Sequence, residues 1–247
     1  MTLSSTSLAG RRAVVTASGG QMGGAIALRL AAAGADVVLN DIIPGSTGPY
    51  AEQIRAMGRQ VIEVEADPTF RPGAEAVIGA AIDTWGGVDI LVNNVGGVQG
   101  PYTNELLRIE DDDWDATLRI CLKATFLCTK LVVPGMIERR DGKIVNTAST
   151  TWSGGVAPYA VAKAGVVAFT RGLAGELGKH NINVNAVAPG ATLTRSKHSP
   201  DLLSHMPLGR FNEADDVAAS VAFLASDDAR QISGQLITVA GGANPQL

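Results

Sequence analysis

Tyr159 and Lys163 stand four residues apart in Tyr159-Ala-Val-Ala-Lys163, a stretch that reads as helix. At i and i+4 the two side chains share one helix face and can meet. A free phenol is a poor base at neutral pH, and a nearby ammonium favours its ionised form. The pair therefore predicts a tyrosine whose pKa is pulled down by Lys163. Such a tyrosine accepts a proton from an alcohol or gives one to a carbonyl.

A second chemical feature opens the chain. Thr16-Ala-Ser-Gly-Gly-Gln-Met-Gly-Gly24 follows a β-branched run and leads into a helix. Glycines there permit a tight turn and close approach of backbone to a pyrophosphate, and the helix N-terminus offers free N–H groups. Such a turn also serves plain packing. Asp41, at the end of the next strand, sharpens the reading: a carboxylate there accepts hydrogen bonds from adenosine ribose hydroxyls and repels a 2′-phosphate. No Arg or Lys follows Asp41 within the ten residues that could receive one. NAD is expected rather than NADP.

The elements that must position these groups alternate from end to end. Strands are expected at 12–16, 35–40, 60–65, 88–93, 143–147, 181–188 and 235–239. Helices are expected at 22–33, 50–57, 74–85, 114–138, 159–178 and 213–224. Strands alternating with helices predict an α/β fold, a doubly wound, mainly parallel seven-stranded sheet with helices on both faces. No linker interrupts the alternation, so residues 1–247 are expected to form one domain.

Composition excludes other classes. With 20 basic and 24 acidic side chains, a net charge of −4 and 46% hydrophobic residues, the chain has a globular balance and lacks a basic field for nucleic acid. Cys121 and Cys128 sit about 10 Å apart on a helix, too far to bridge, and read as free thiols in a reducing compartment. No signal-like start and no run of roughly 18 apolar residues is apparent, so a cytoplasmic protein without a membrane partner is expected. His180, His198 and His205 lack the company and spacing of a metal site.

In order along the chain stand the glycine turn, Asn93-Asn-Val-Gly96, Ser149, Tyr159-Ala-Val-Ala-Lys163, Pro189-Gly190, Gly234-Gln235 and Gly241-Gly242. Together they resemble the short-chain dehydrogenase/reductase family over essentially the whole length. The resemblance implies a Rossmann-type fold, a homodimer or homotetramer, and hydride transfer between NAD(P) and a small alcohol or carbonyl. It implies that Ser149 hydrogen-bonds the reacting oxygen and that Lys163 also holds the nicotinamide ribose. By position Ser18, Gln21, Met22, Asp41, Asp67, Asn94, Thr192 and Thr194 fall at cofactor contacts, Asp67 toward adenine and Thr194 toward the carboxamide.

The chain departs from the family pattern in several places. Ala17 and Gln21 stand where glycines are usual, which implies an altered phosphate loop. Cys121 stands where the family carries an Asn that helps hold a proton-relaying water, which implies a weakened relay, or simply a small buried residue. The loop between Ser149 and Tyr159 is short, and Trp152 in it is a candidate substrate contact or a loop anchor. Residues 194–208 fall where relatives carry a substrate lid. The residues point to an NAD-dependent enzyme interconverting a secondary alcohol and its ketone. Two alternatives stay open: an NADPH-dependent reductase of carrier-bound 3-oxoacyl chains, and a dinucleotide-binding regulatory protein without catalysis.

Overall fold

The computed structural model describes residues 8–194 and 200–243. All seven expected strands form: β1 (Arg12–Val15), β2 (Asp36–Asp41), β3 (Val61–Glu65), β4 (Ile90–Asn93), β5 (Gly142–Thr147), β6 (Ile182–Pro189) and β7 (Leu236–Val239). They pair in parallel in the order β3-β2-β1-β4-β5-β6-β7. The connecting helices are α1 (Gln21–Ala32), α2 (Gly48–Ala56), α3 (Arg71–Trp85), α4 (Asp111–Leu118), α5 (Ala124–Arg139), α6 (Pro158–Leu177) and α7 (Ala214–Ala225). This is the doubly wound Rossmann-type architecture that the alternation predicts.

Both faces of the sheet are covered, and the period of two along each strand divides its side chains between them. Ala13, Val15, Val37, Leu39 and Val92 join α1, α2 and α7 in one core. Val14, Val38, Leu91, Ile144 and Val184 join α3 and α5 in the other. Each such Val, Leu or Ile side chain contributes about 1.5–3 kcal/mol when fully buried. The two cores hold the strand ends rigidly, which matters because the loops at those ends carry the polar residues.

One element differs from expectation. The helix expected at 114–138 is α4 and α5 joined by a π-helical turn, Arg119–Lys123. There the Ala124 N–H bonds back to the Arg119 carbonyl, and the Thr125 hydroxyl donates to the Cys121 carbonyl at 3.1 Å. Single π turns inside α-helices are rare and frequent at functional sites. Cys121 lies in this one and is bonded to the loop after β4. The span 111–139 also corrects the expectation of no candidate membrane segment, since by length and composition alone it could cross one. Its Leu127, Cys128, Val132 and Met136 are instead buried against the sheet and α3.

β1 and β4 are neighbours in space but not in sequence, so the connections leave them in opposite directions. A crevice opens at their C-terminal ends, the position where open α/β sheets bind ligands.

Candidate functional site

Tyr159 and Lys163, singled out by spacing, and Ser149, implied by the resemblance, meet beside this crevice. Pro158 starts α6, where its fixed φ suits the first turn. One turn of helix then carries Tyr159 and Lys163 on the same face. Lys163 is fully buried, donates from Nζ to the Thr147 carbonyl at 2.6 Å, and lies 5.6 Å from the Tyr159 ring centroid. Ser149 sits just past β5, where its Oγ accepts from the Thr151 N–H at 3.3 Å and the Thr151 hydroxyl at 3.1 Å. A hydrogen bond joins Ser149 to Tyr159. The three line a cavity of about 210 Å³ with Met22, Asn94, Thr192 and Thr194.

The electrostatics correct one expectation. Burial pushes the Tyr159 hydroxyl up to about 12, the Cys121 thiol adds to the rise, and the Ser149 hydrogen bond works against it. Burial also lowers the pKa of Lys163, with Cys121 pulling the other way. Lys163 alone does not produce the low tyrosine pKa that the spacing suggested. Desolvating a phenolate outweighs an ammonium that is itself desolvated and turned toward a carbonyl.

The glycine turn keeps its shape despite the substitutions. Ala17 takes φ 51°, the left-handed region, where a Cβ costs about 1–2 kcal/mol. Gly23 is indispensable, because a Cβ there would stand 2.2 Å from the Ala17 carbonyl oxygen. Gly20 caps α1 with extended backbone and no side-chain cap, so the first-turn N–H groups remain open to an anion. Gln21 and Met22, the first residues of α1, line a cavity of about 570 Å³ with Gly19, Gly20, Asp41 and Asn94. Asn94 also braces the turn, donating from Nδ2 to the Ala17 carbonyl at 3.1 Å.

Ser18 is a correction. It is fully buried, and its hydroxyl accepts from the Asn40 N–H at 2.9 Å, stitching β1 to β2. It lines neither cavity of the turn. Asp41 does face the crevice, accepting from the Gly19 N–H on Oδ2 and the Ile43 N–H on Oδ1, each at 3.0 Å. Asp67 accepts from the Thr69 N–H at 2.9 Å and lines a third cavity of about 440 Å³ with Asp41, Ile42 and Arg119. Arg119 was not anticipated. It bonds the Thr69 hydroxyl at 2.9 Å and lies 4.6 Å over the Phe70 ring.

Asp41 and Gly96 line both larger cavities, and Met22, Asn94, Gly96 and Thr194 continue into the smallest. The result is one trough from Asp67, past the open end of α1, to Tyr159. It is walled by glycines and backbone in its middle, which fits an extended dinucleotide.

Other expected residues take different places. Cys121 is buried; its thiol donates to the Gly97 carbonyl at 3.2 Å and lies 3.5 Å from the Gly97 N–H that it accepts. It thus clamps the loop beside Lys163, where a Cβ on Gly96 would lie 2.9 Å from Nζ. Trp152 is not among the residues lining the Tyr159 cavity; it packs on Ala148, Val166 and Ala186, an anchor for its loop. His198 and lid residues 195–199 lie outside the described residues. His205 is exposed, with Nδ1 3.2 Å from both the Ser204 hydroxyl and the Asp201 carbonyl. Among the described residues no cluster could hold a metal ion.

A family profile described as enoyl-(acyl carrier protein) reductase matches residues 16–244. The BbsD subunit of a (hydroxy(phenyl)methyl)succinyl-CoA dehydrogenase from Thauera aromatica is 41% identical, over 94% of this chain and 96% of its own. A 3-oxoacyl-(acyl-carrier-protein) reductase from Thermotoga maritima is 35% identical, over 95% of this chain and 98% of its own. A 7α-hydroxysteroid dehydrogenase, solved with NADH and 7-oxo glycochenodeoxycholic acid, superposes with a TM-score of 0.90 at 33% identity, covering 97% of this chain and 96% of that one.

Proposed function

We propose that this chain, which belongs to the short-chain dehydrogenase/reductase family and is an oxidoreductase of that family's type, interconverts a secondary alcohol and its ketone with NAD. The observation that carries the reading is the continuous trough joining the Asp41 carboxylate to the Tyr159 hydroxyl. One domain over residues 1–247 then carries both cofactor and chemistry.

In this reading Asp67 and Arg119 border the adenine, and Asp41 accepts from the ribose hydroxyls. The open first turn of α1 receives the pyrophosphate, with Gln21 and Met22 at its edge. Asn94, Thr192 and Thr194 line the far end, and Lys163 orients the second ribose. When bound, the nicotinamide supplies the hydride acceptor or donor, and its oxidised ring brings a positive charge. Tyr159 takes the proton of the alcohol hydroxyl as the C–H hydride departs, or returns it to the ketone oxygen in the reverse direction. Ser149 donates to that same oxygen. In the protein alone the phenol lies at about 12, so the oxidised ring's charge would join the Ser149 hydrogen bond in favouring the phenolate. Cys121 steadies the loop at Gly97.

The second reading is a 3-oxoacyl-carrier-protein reductase using NADPH, favoured by the Thermotoga relative and the family profile. The bare carboxylate of Asp41 opposes it. A non-catalytic dinucleotide-binding protein is opposed by the convergence of Ser149, Tyr159 and Lys163 in one cavity. The oligomer is proposed to form through α4, α5 and α6. Their groove of about 750 Å³ is lined by Leu118, Leu122, Phe126 and Phe169 together with the charged Asp115, Arg119 and Lys123, and none of Ser149, Tyr159 and Lys163 lines it. A cytoplasmic location is part of the proposal, and the two free thiols are in keeping with it. Turnover of a panel of ketones with NADH and NADPH in parallel tests the proposal. NADH alone should support it; preference for NADPH with 3-oxoacyl thioesters would select the second reading.

A further inference from the structure

The turn after β2 is held by carboxylates at alternate residues. Asp41 accepts from the Ile43 N–H at 3.0 Å, Glu65 from the Gly45 N–H at 2.9 Å, and Glu63 from the Thr47 hydroxyl at 2.8 Å. The Ser46 hydroxyl is likewise committed, donating to the Ile43 carbonyl at 2.8 Å. This turn walls the trough beside Asp41, through Ile43, Gly45 and Ser46.

Asp41 and Glu65 are register partners on parallel neighbours, so their side chains leave the same face of the sheet. Glu63 is paired with Arg55 at 2.9 Å. Among the described ion pairs neither Asp41 nor Glu65 has a cation. Glu65 lines none of the described cavities and reaches the trough through Gly45, while Arg119 lines the cavity beside Asp41. A phosphate on the adenosine ribose would therefore meet the Asp41 charge directly and the Glu65 charge through the turn. It would also meet a turn whose outward donors are already in use, with Gly45 occupied by Glu65 itself.

We propose that Glu65 is a second cofactor-discriminating residue, acting with Asp41 to exclude the 2′-phosphate of NADP by charge and by occupying the Gly45 N–H. The inference rests on the dinucleotide reading above. The full-length chain, Glu65→Gln and Glu65→Ala are titrated with NADH and with NADPH, followed by protein fluorescence, at low and high salt. Glu65→Gln keeps an acceptor for Gly45 but loses the charge. It should tighten NADPH about threefold at low salt while NADH changes less, and the gain should shrink as salt screens it. Glu65→Ala also frees the Gly45 donor and should tighten NADPH about tenfold. NADH binding with an unchanged NADPH-to-NADH ratio in Glu65→Gln overturns the inference alone. Binding of neither cofactor by the unsubstituted chain overturns the dinucleotide reading and the inference with it.

Discussion

Two buried lysines mark the two ends of β5, and they are held differently. At the starting end, Lys143 donates to Asn183 Oδ1 at 2.7 Å; burial lowers its pKa, while Asp227 and Asp141 raise it and Arg11 lowers it further. Around it lies a network of paired charges, with Arg12 on Asp89 at 2.6 Å and Arg139 beside them. None of the described cavities is lined by Lys143. At the finishing end, Lys163 bonds a backbone carbonyl, faces a cavity, and has no carboxylate among the groups that shift its pKa. A buried cation surrounded by carboxylates is architecture. One left without them, at the mouth of a trough, costs stability and is kept for chemistry.

That contrast can be broken by mutation. Lys163→Met should lower turnover about 10²–10⁴-fold while leaving thermal stability unchanged or higher, because it removes an uncompensated buried charge. Retained turnover with a large fall in Tm would make Lys163 architectural as well. Asp89→Asn should do the reverse, costing about 3 kcal/mol in denaturant titrations through an orphaned Arg12, with turnover per folded molecule kept.

The pH dependence of that loss follows from the sign of the shift. Burial works to raise the pKa of Asp89, but the Arg12 hydrogen bonds and the charges of Arg12 and Arg139 leave it below its ordinary 3.8. The stabilisation is therefore complete above that value and disappears as pH falls below it. Unfolding curves of the two proteins should converge in acid; a gap that persists there would place the effect in packing.

The smallest effect concerns the strained turn. Ala17→Gly should raise stability by about 1 kcal/mol, relief of the left-handed strain exceeding the added freedom of the unfolded chain. A loss of stability would mean that the Ala17 methyl packs productively.

Much of this was legible in the sequence because it is local. Seven β-branched runs became seven strands, and the four-residue spacing of Tyr159 and Lys163 needed only the helix that carries them. Asp41 was readable as the last residue of a strand that follows a glycine turn. What escaped depends on partners distant in the chain. Ser18 turns inward because its hydroxyl accepts from the Asn40 N–H on the next strand. For Trp152 the loop anchor was one of the two readings the sequence left open, and its packing on Ala148, Val166 and Ala186 agrees with it. Cys121 left a weakened relay and a small buried residue both open; it is buried as the second has it, and only the fold shows the Gly97 loop that it bonds. The Tyr159 pKa went the other way because spacing carries no information about burial. Glu65 gave no signal, since its role rests on one hydrogen bond across β3 to a turn.

The most direct test of the central claim is NADH-dependent ketone reduction by Tyr159→Phe beside the unsubstituted protein, with NADH affinity measured on the same samples. The account predicts that affinity is kept within a few-fold while turnover falls about 10²–10⁴-fold, as expected when an acid/base group is removed. Equal turnover in the two proteins would contradict it.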